Sequence, residues 1–478
     1  MRRFAVTSLL LSGLSGCSLI PNYHRPDLPV AAQYAAPATG VKGPVAGDIG
    51  WHDFFSDPAL QQLIGLSLLN NRDLRVAVLN VQQTQAQYLS DRANLFPMLN
   101  ANAGLDREHT PVGAFVGATN PATDVREYSL GVGAVSWELD LFGSIRSMAQ
   151  AARQTYLSYA YVALSTKISL VAQVASTYYT WLADRESLAI AQSTATDQAA
   201  SLKLIQMELT HGTVTALDLA QAETTLDTAN ANVAAYTRQV ALDMDELVLL
   251  VGAPLPQDVL QRMNAVAGLQ AEPGLPALPA GLPADLLERR PDIIAAEHTL
   301  LSANANVGAA RAAFFPKVTL TANGGTASNG LQGLFGAGSG AWLFQPNISV
   351  PIFAGGQNLA NLDIAKTEKR IEIANYEKTI QSAFRDVSDA LNARDTYVNQ
   401  VAAEQALVDA DTRYYQLSLM RFRAGIDTYL NVLYSENSLL SARLSLVSLQ
   451  LAAMQNDITL YKALGGGWQE YSSKVPLG

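Results

Sequence analysis

Helical spacing and strict alternation follow one another twice along this chain, in the same order. Leu60, Leu63, Ile64 and Leu68 recur at helical spacing behind Asp57-Pro58, an N-cap followed by proline at the first helical position. A break near Asn70-Asn71 leads into a second helix from Asp73 to about Leu95. The period then drops to that of a strand. Tyr128, Leu130, Val132 and Ala134 form one set, and Ser129, Gly131, Gly133, Val135 and Trp137 the other, a mixed pattern that still predicts a strand. Farther on the alternation is cleaner. Val318, Leu320 and Ala322 alternate with Thr319, Thr321 and Asn323, and Trp342, Phe344, Ile348 and Val350 with Gln345, Asn347 and Ser349. Turn formers fill 111–121 and 324–340, which read as hairpin tips. Each strand pair closes on a matching turn, Leu141-Phe142-Gly143-Ser144 or Ile352-Phe353-Ala354-Gly355-Gly356, ahead of a very long helical run. Leu164, Ile168, Val171, Ala175, Tyr178 and Leu182 mark a heptad seam, as do Phe384, Val387, Leu391, Val398 and Val401. The runs turn back after His211-Gly212 and Ala424-Gly425. Leu430, Leu433, Leu440, Leu444, Val447, Leu451, Met454, Ile458 and Tyr461 are expected to line the second returning helix, giving coiled-coil hairpins.

The passage from helix to strand is itself duplicated. Arg92-Ala-Asn-Leu-Phe96-Pro97 and Arg311-Ala-Ala-Phe-Phe315-Pro316 stand 219 residues apart. Proline stops the helix and pushes the preceding residue toward extended geometry, so one switch is built twice. The reading is a first repeat at 57–252, with strands at about 98–140, and a second at 283–464, with strands at about 316–352. A Pro-rich linker at 253–282 joins them, a Pro-rich extended arm precedes them at 17–56, and 465–478 reads as a loose tail. The fold class is mainly α with a β part and an internal repeat.

Composition narrows the setting. The 478 residues are 49% apolar with a formal charge of −10, so this is no disordered polyanion. With 32 Lys+Arg against 42 Asp+Glu and no basic block, nucleic-acid binding gains no support. Residues 1–16 read as a signal peptide, with Arg2-Arg3 ahead of an apolar core too short to span a bilayer. The core ends in Leu14-Ser15-Gly16-Cys17, which resembles a bacterial lipobox around the single cysteine. That resemblance implies S-diacylglycerol and N-palmitoyl groups on Cys17, several acyl chains being what stable anchoring needs. Ser18, where this class can carry Asp, implies delivery to the outer membrane. No later segment offers about 20 uninterrupted apolar residues, so a membrane crossing requires a barrel. Alternation alone leaves open a soluble sheet with one wet face; the lipobox and the absent spanning helix favour the barrel.

One chain supplies four strands, and about eight are the practical minimum for closure. Unpaired edges are not tolerated in lipid, so the chain is expected to oligomerise through its strands. At this point the residues resemble a known family, the TolC/OprM-type outer membrane efflux proteins and in particular their lipoprotein branch. The most specific stretch runs from Leu286 through Arg289-Arg290-Pro291-Asp292-Ile293 and Glu297 to Phe315-Pro316. Trp51 to Pro58 and Asn431 to Arg443 are also similar to it. The resemblance implies a trimer, a 12-stranded outer-membrane β-barrel continued by a long α-helical coiled-coil barrel in the periplasm. It also implies a periplasmic adaptor and an inner-membrane RND-type pump as partners, with drugs or other solutes passing outward.

In that family the helical tips close the periplasmic end. The matching turn here carries Arg421, Arg423, Gly425, Asp427, Thr428 and Tyr429, and the first copy offers His211, Gly212 and Thr215. The resemblance makes Asp427, Thr428, Tyr429 and Thr215 candidates for gate and bore, and Arg421, Arg423, Gly425 and Gly212 for tip and adaptor contact. Asp427, tripled, makes a carboxylate ring; it also fits an ordinary helix cap. Arg290-Pro291-Asp292 reads as a helix start with Asp at the positive helix end. His24, His52, His109, His211 and His298 are scattered without paired-ligand spacing, and no nucleophile elbow, Walker motif or dinucleotide fingerprint occurs. No enzyme activity, cofactor or metal is expected. Two other functions remain open: the exit duct of a type I protein secretion system, and a structural coiled-coil surface lipoprotein.

Overall fold

The computed structural model describes residues 18–31, 34, 46–111, 123–269, 275–276, 278 and 289–472. The signal peptide, Cys17, one hairpin tip, most of the linker beyond 269 and the last six residues of the expected tail lie outside that set. In chain order the elements are α1 (Trp51–Phe54), α2 (Pro58–Asn70), α3 (Arg72–Ala93), β1 (Leu99–Thr110), β2 (Thr123–Leu139), α4 (Ser144–Thr210) and α5 (Ala216–Val251). They continue with α6 (Gln257–Ala265), α7 (Pro291–Ala312), β3 (Lys317–Ser328), β4 (Gly340–Ser349), α8 (Gln357–Arg423) and α9 (Tyr429–Ala463). The repeat is plain in the lengths: α4 and α8 have 67 residues each, roughly 100 Å at 1.5 Å per residue. No helix among the described residues is long and apolar enough to cross a membrane.

Two compact units divide the described residues. The first draws on Met1–Pro26, Asn80–Tyr159 and Ala296–Tyr376, and contains the whole sheet. The strands run antiparallel in the order β1-β2-β3-β4. Their registers sort the side chains into two faces. One face carries Leu99, Ala101, Ala103 and Leu105 of β1 opposite Ala134, Val132, Leu130 and Tyr128 of β2. It continues through Val318, Leu320 and Ala322 to Ile348, Pro346 and Phe344. The other face carries Asn100, Asn102, Ser129, Thr319, Thr321, Asn323, Gln345 and Asn347. The mixed pattern of β2 has a cause. The β2/β3 register shifts between Ala134 and Trp137, and Ser136 takes φ 54°, so a β-bulge absorbs a residue. Trp137, which alternation places with the polar set, thereby pairs with Leu320 on the apolar face.

The first unit also fixes the N-terminal arm along α7, the two running in opposite directions. Arg311 donates to the Leu19 carbonyl at 3.2 Å, and Asn304 to that of Pro21 at 2.9 Å. Gly308 leaves no room for a β-carbon, which would stand 2.7 Å from Ile20. Tyr23 donates to Glu297 at 3.0 Å, and Arg25 grips the same carboxylate with two bonds of 2.8 Å. Burial first, and Glu297 second, raise the Tyr23 phenol above its ordinary range. Leu19 thus lies at the end of α7 that feeds β3, and the arm runs away from it toward Glu297.

The second unit draws on Asp27–Leu79, Ala160–Ala295 and Glu377–Gly478. Its core gathers Leu60, Leu63 and Ile64 of α2, Tyr178, Trp181 and Leu182 of α4, Ile458 and Tyr461 of α9, and Phe54 and Phe55. Asp57 caps α2 as expected, accepting from Ala59 N at 2.8 Å, and its other oxygen accepts the Tyr178 hydroxyl. Three expectations need correction. The arm is not extended to its end: residues 46–48 form a 3-10 turn and α1 is buried. The tail is not loose through Ser472. Gln469 and Glu470 carbonyls accept from Trp51 and His52 at 3.0 Å each, because the Gly465-Gly466-Gly467 turn folds the chain back over Tyr461. The linker contains α6, held by buried Val259 and Met263. The α9 seam is buried as expected at Leu433, Val447, Ile458 and Tyr461, and differs at its start. Leu430 is 40% exposed and Val398 of α8 67% exposed, whereas Tyr429, Val432, Leu433, Glu436, Leu439, Ala442 and Leu446 are buried. Apolar spacing finds large apolar groups, but this contact also passes through Ser435 and Ala442, which carry no such signal.

Candidate functional site

The two hairpin tips are the same turn built twice. Gly212 (φ 74°) and Gly425 (φ 69°) hold the left-handed position past each long helix. Gly212 donates to Leu209 and Thr213 to Glu208; Gly425 donates to Phe422 and Ile426 to Arg421 in the same pattern. Only glycine takes this φ without strain, which explains both candidates locally.

Chemistry separates the tips. In the first, Thr215 caps α5 and forms a capping box with Asp218, whose carboxylate accepts the Thr215 N–H at 2.8 Å and hydroxyl at 2.7 Å. The Thr215 bonds hold the Asp218 carboxyl below its ordinary range. In the second, Thr428 is the cap but makes no side-chain capping bond, and Asn431 occupies the position of Asp218. The carboxylate has moved ahead of the cap. Asp427 accepts from Thr428 N at 2.9 Å, Asn431 Nδ2 at 2.6 Å and Arg421 Nε at 3.2 Å. These donors, the Thr428 N–H first, hold the Asp427 carboxyl below its ordinary range, so it carries charge at neutral pH. Cap and charged group are therefore two residues here: Thr428 is the cap, and Asp427, just ahead of it, is the charged group. Arg421 is the ion-pair partner of Asp427, while Arg423 is exposed.

Tyr429 lies elsewhere than at a bore surface in the single chain. It is 3% exposed, packed with Ile205, Ala222, Val432 and Leu433, and its ring stands 5.4 Å from that of Phe422. This cluster ties all four tip helices together through α4, α5, α8 and α9.

Two turns farther along α9 sits a group that the sequence reading passed over. Glu436 is 5% exposed beside Gln198, itself 1% exposed. Glu436 Oε2 and both amide atoms of Gln198 have no hydrogen-bond partner among the described residues. Burial, reinforced by the Asp197 carboxylate and opposed by Gln198, pushes Glu436 up to about 7. A signal existed: Glu436 stands three residues past Leu433, on the seam itself. Within the first hairpin, burial first, and then a hydrogen bond that the protonated Asp184 donates to the Asp243 carboxylate, likewise push Asp184 up to about 7.

The Arg290-Pro291-Asp292 stretch is structural. Pro291 opens α7, and Arg290 binds Asp292 at 2.6 and 3.0 Å and the Ala463 carbonyl at 3.2 Å.

Comparison with known proteins places these features. A family model described as outer membrane efflux protein matches residues 63–253 and 282–466. The chain is 45% identical to the toluene efflux pump outer membrane protein TtgC of Pseudomonas putida over 475 residues, 98% of this chain and 96% of that one. It is 38% identical to the cation efflux system protein CusC of Escherichia coli, across 96% of this chain and 97% of that protein. The crystal structure of the open state of the Neisseria gonorrhoeae MtrE outer membrane channel superposes with a TM-score of 0.86 at 37% identity, over 96% of this chain and 100% of that one.

Proposed function

The chain belongs to the outer membrane efflux protein family, and on that premise we propose that three copies join their sheets into a 12-stranded channel that passes solutes outward without chemistry of its own. Its function is outer-membrane efflux and its place is the outer membrane, with a periplasmic extension. The observation that carries the trimer is the sheet. It has four strands, one apolar and one polar face, and edges β1 and β4 without a partner strand among the described residues. Four strands cannot close around water, and open edges are costly in lipid. With the apolar face toward lipid, Asn, Ser, Thr and Gln side chains line the lumen.

The partners we assign are a periplasmic adaptor and an inner-membrane RND-type pump, which supplies the energy. Relatives of this one family are named for toluene and for cations, which argues that the pump selects the cargo. Repeated threefold, Asp427 forms a ring of carboxylates at the periplasmic mouth, with Thr428 and Thr215 beside it and Tyr429 as the packing support behind. Arg421, Arg423, Gly425 and Gly212 form the surface offered to the adaptor. Asp427→Ala releases Arg421 and Asn431 and removes the ring. In planar bilayers it is expected to raise basal conductance several-fold and to lower cation preference. Unchanged conductance and selectivity would reduce Asp427 to a brace of its own turn.

The arm supports the lipid anchor. Traced backward from residue 25 to residue 19, the arm follows α7 to the end that feeds β3. Acyl chains there enter the inner leaflet beside the barrel. Cys17→Ala is expected to abolish labelling by an alkyne fatty acid; persistent labelling removes the lipobox from the account.

A further inference from the structure

Above its apolar rungs the β1/β2 hairpin places two arginines directly across from each other, Arg107 and Arg126. Like charges in that relation repel, and both side chains are exposed. Neither makes an ion pair or hydrogen bond among the described residues; the nearest acid on that face, Asp124, is taken by His109 at 2.7 Å. The intervening loop, 111–122, contains no acidic residue that could neutralise them. Yet Asp106 and Glu127, one rung away, also face each other and lie on the opposite, polar side. The hairpin thus sends both arginines to the face that continues the apolar surface, where the one acid, Asp124, is engaged by His109, and sends Asp106, Glu108 and Glu127 to the other.

Height identifies what meets the arginines. From Leu139 to Tyr128 the apolar face of β2 extends roughly 36 Å along the strand, about 25 Å of height at a 45° tilt. That matches the apolar band of an outer-membrane barrel, with Tyr128 as the aromatic at its edge. Arg126 and Arg107 stand at the next rung, level with headgroups. Because the other end of the sheet adjoins the docked arm, these headgroups belong to the outer leaflet. We propose that Arg107 and Arg126 together bind the phosphate of a phosphorylated glycolipid in that leaflet, the guanidinium pair supplying forked donors to one anion. The site rests on the channel reading given above.

The test uses the purified full-length protein, with bound lipid counted by native mass spectrometry after titration with bisphosphorylated lipid A or its dephosphorylated form. The wild type is expected to hold the bisphosphorylated lipid at about tenfold lower concentration. Arg107→Gln with Arg126→Gln should erase that preference, and Arg107→Lys with Arg126→Lys should keep part of it. Removing like charges cannot unfold the hairpin by loss of an ion pair, and bilayer conductance of the Gln variant confirms an intact channel. Equal retention of both lipids by the wild type, an undiminished preference in the Gln variant, or displacement by millimolar inorganic phosphate overturns the proposal. A wild type that never conducts would instead indict the channel reading.

Discussion

Tyr461→Ala is expected to cost about 4 kcal/mol of stability, the range for removing a buried aromatic from a packed core. The ring is 2% exposed and stacks on Phe54 with centroids 3.9 Å apart and planes 7° from parallel. Phe55 meets it edge-on at 6.1 Å. Its hydroxyl donates to the Ile49 carbonyl at 2.7 Å. On the far side the ring closes over Gly466, where a β-carbon would fall 2.2 Å from a ring carbon. One side chain therefore joins the end of the arm, the glycine turn and α9. Tyr461→Phe loses only the hydroxyl contact and is expected to cost about 1 kcal/mol. Chemical denaturation compares the two; a Phe variant as weak as the Ala variant would place the cost in the hydrogen bond instead of the packing.

Glu436→Gln is expected to stabilise the tip cluster at alkaline pH and to do nothing in acid. The folded protein raises this carboxyl from 4.5 to about 7, through burial first and Asp197 second. Below the unfolded value both states hold the proton and there is no penalty. As pH rises from there to about 7, the unfolded chain releases the proton while the folded tip retains it, so stability falls. Above about 7 the tip carries a buried charge, and the full penalty is about 3 kcal/mol. The groups facing Glu436 sharpen this. Asp197 and Gln198 come from α4 and Tyr415 from α8, whose phenol is pushed up to about 12 by burial and by Glu436; Tyr429 lies below on α9 itself. Urea unfolding of both proteins from pH 4.5 to pH 8 should give a difference near zero at the acid end and widening upward. A difference independent of pH would contradict the assignment.

The repeat, its helix-to-strand switch and the Asp57 cap were legible in the residues because each rests on local backbone chemistry: proline, glycine and short polar caps act within a few positions. So was the alternation of β3 and β4. The bulge in β2 was not. One residue at positive φ reverses the face of everything after it, and Ser136 gives no warning of that. The α9 seam was legible at Leu433, Val447, Ile458 and Tyr461, which are buried, but not at Ser435, Glu436 and Ala442, whose covered side chains carry no apolar signal. The docked tail was missed for another reason: its partners at Trp51 and His52 lie over 400 residues away and bind through backbone. At the tips, the resemblance brought out Asp427, while its three donors became visible only in the fold.

The mass of the detergent-solubilised particle bears on the whole scheme most directly. Free strand edges and a two-faced sheet predict three copies in each particle, with no smaller folded species as detergent is diluted. A stable single chain that keeps all four strands would contradict it.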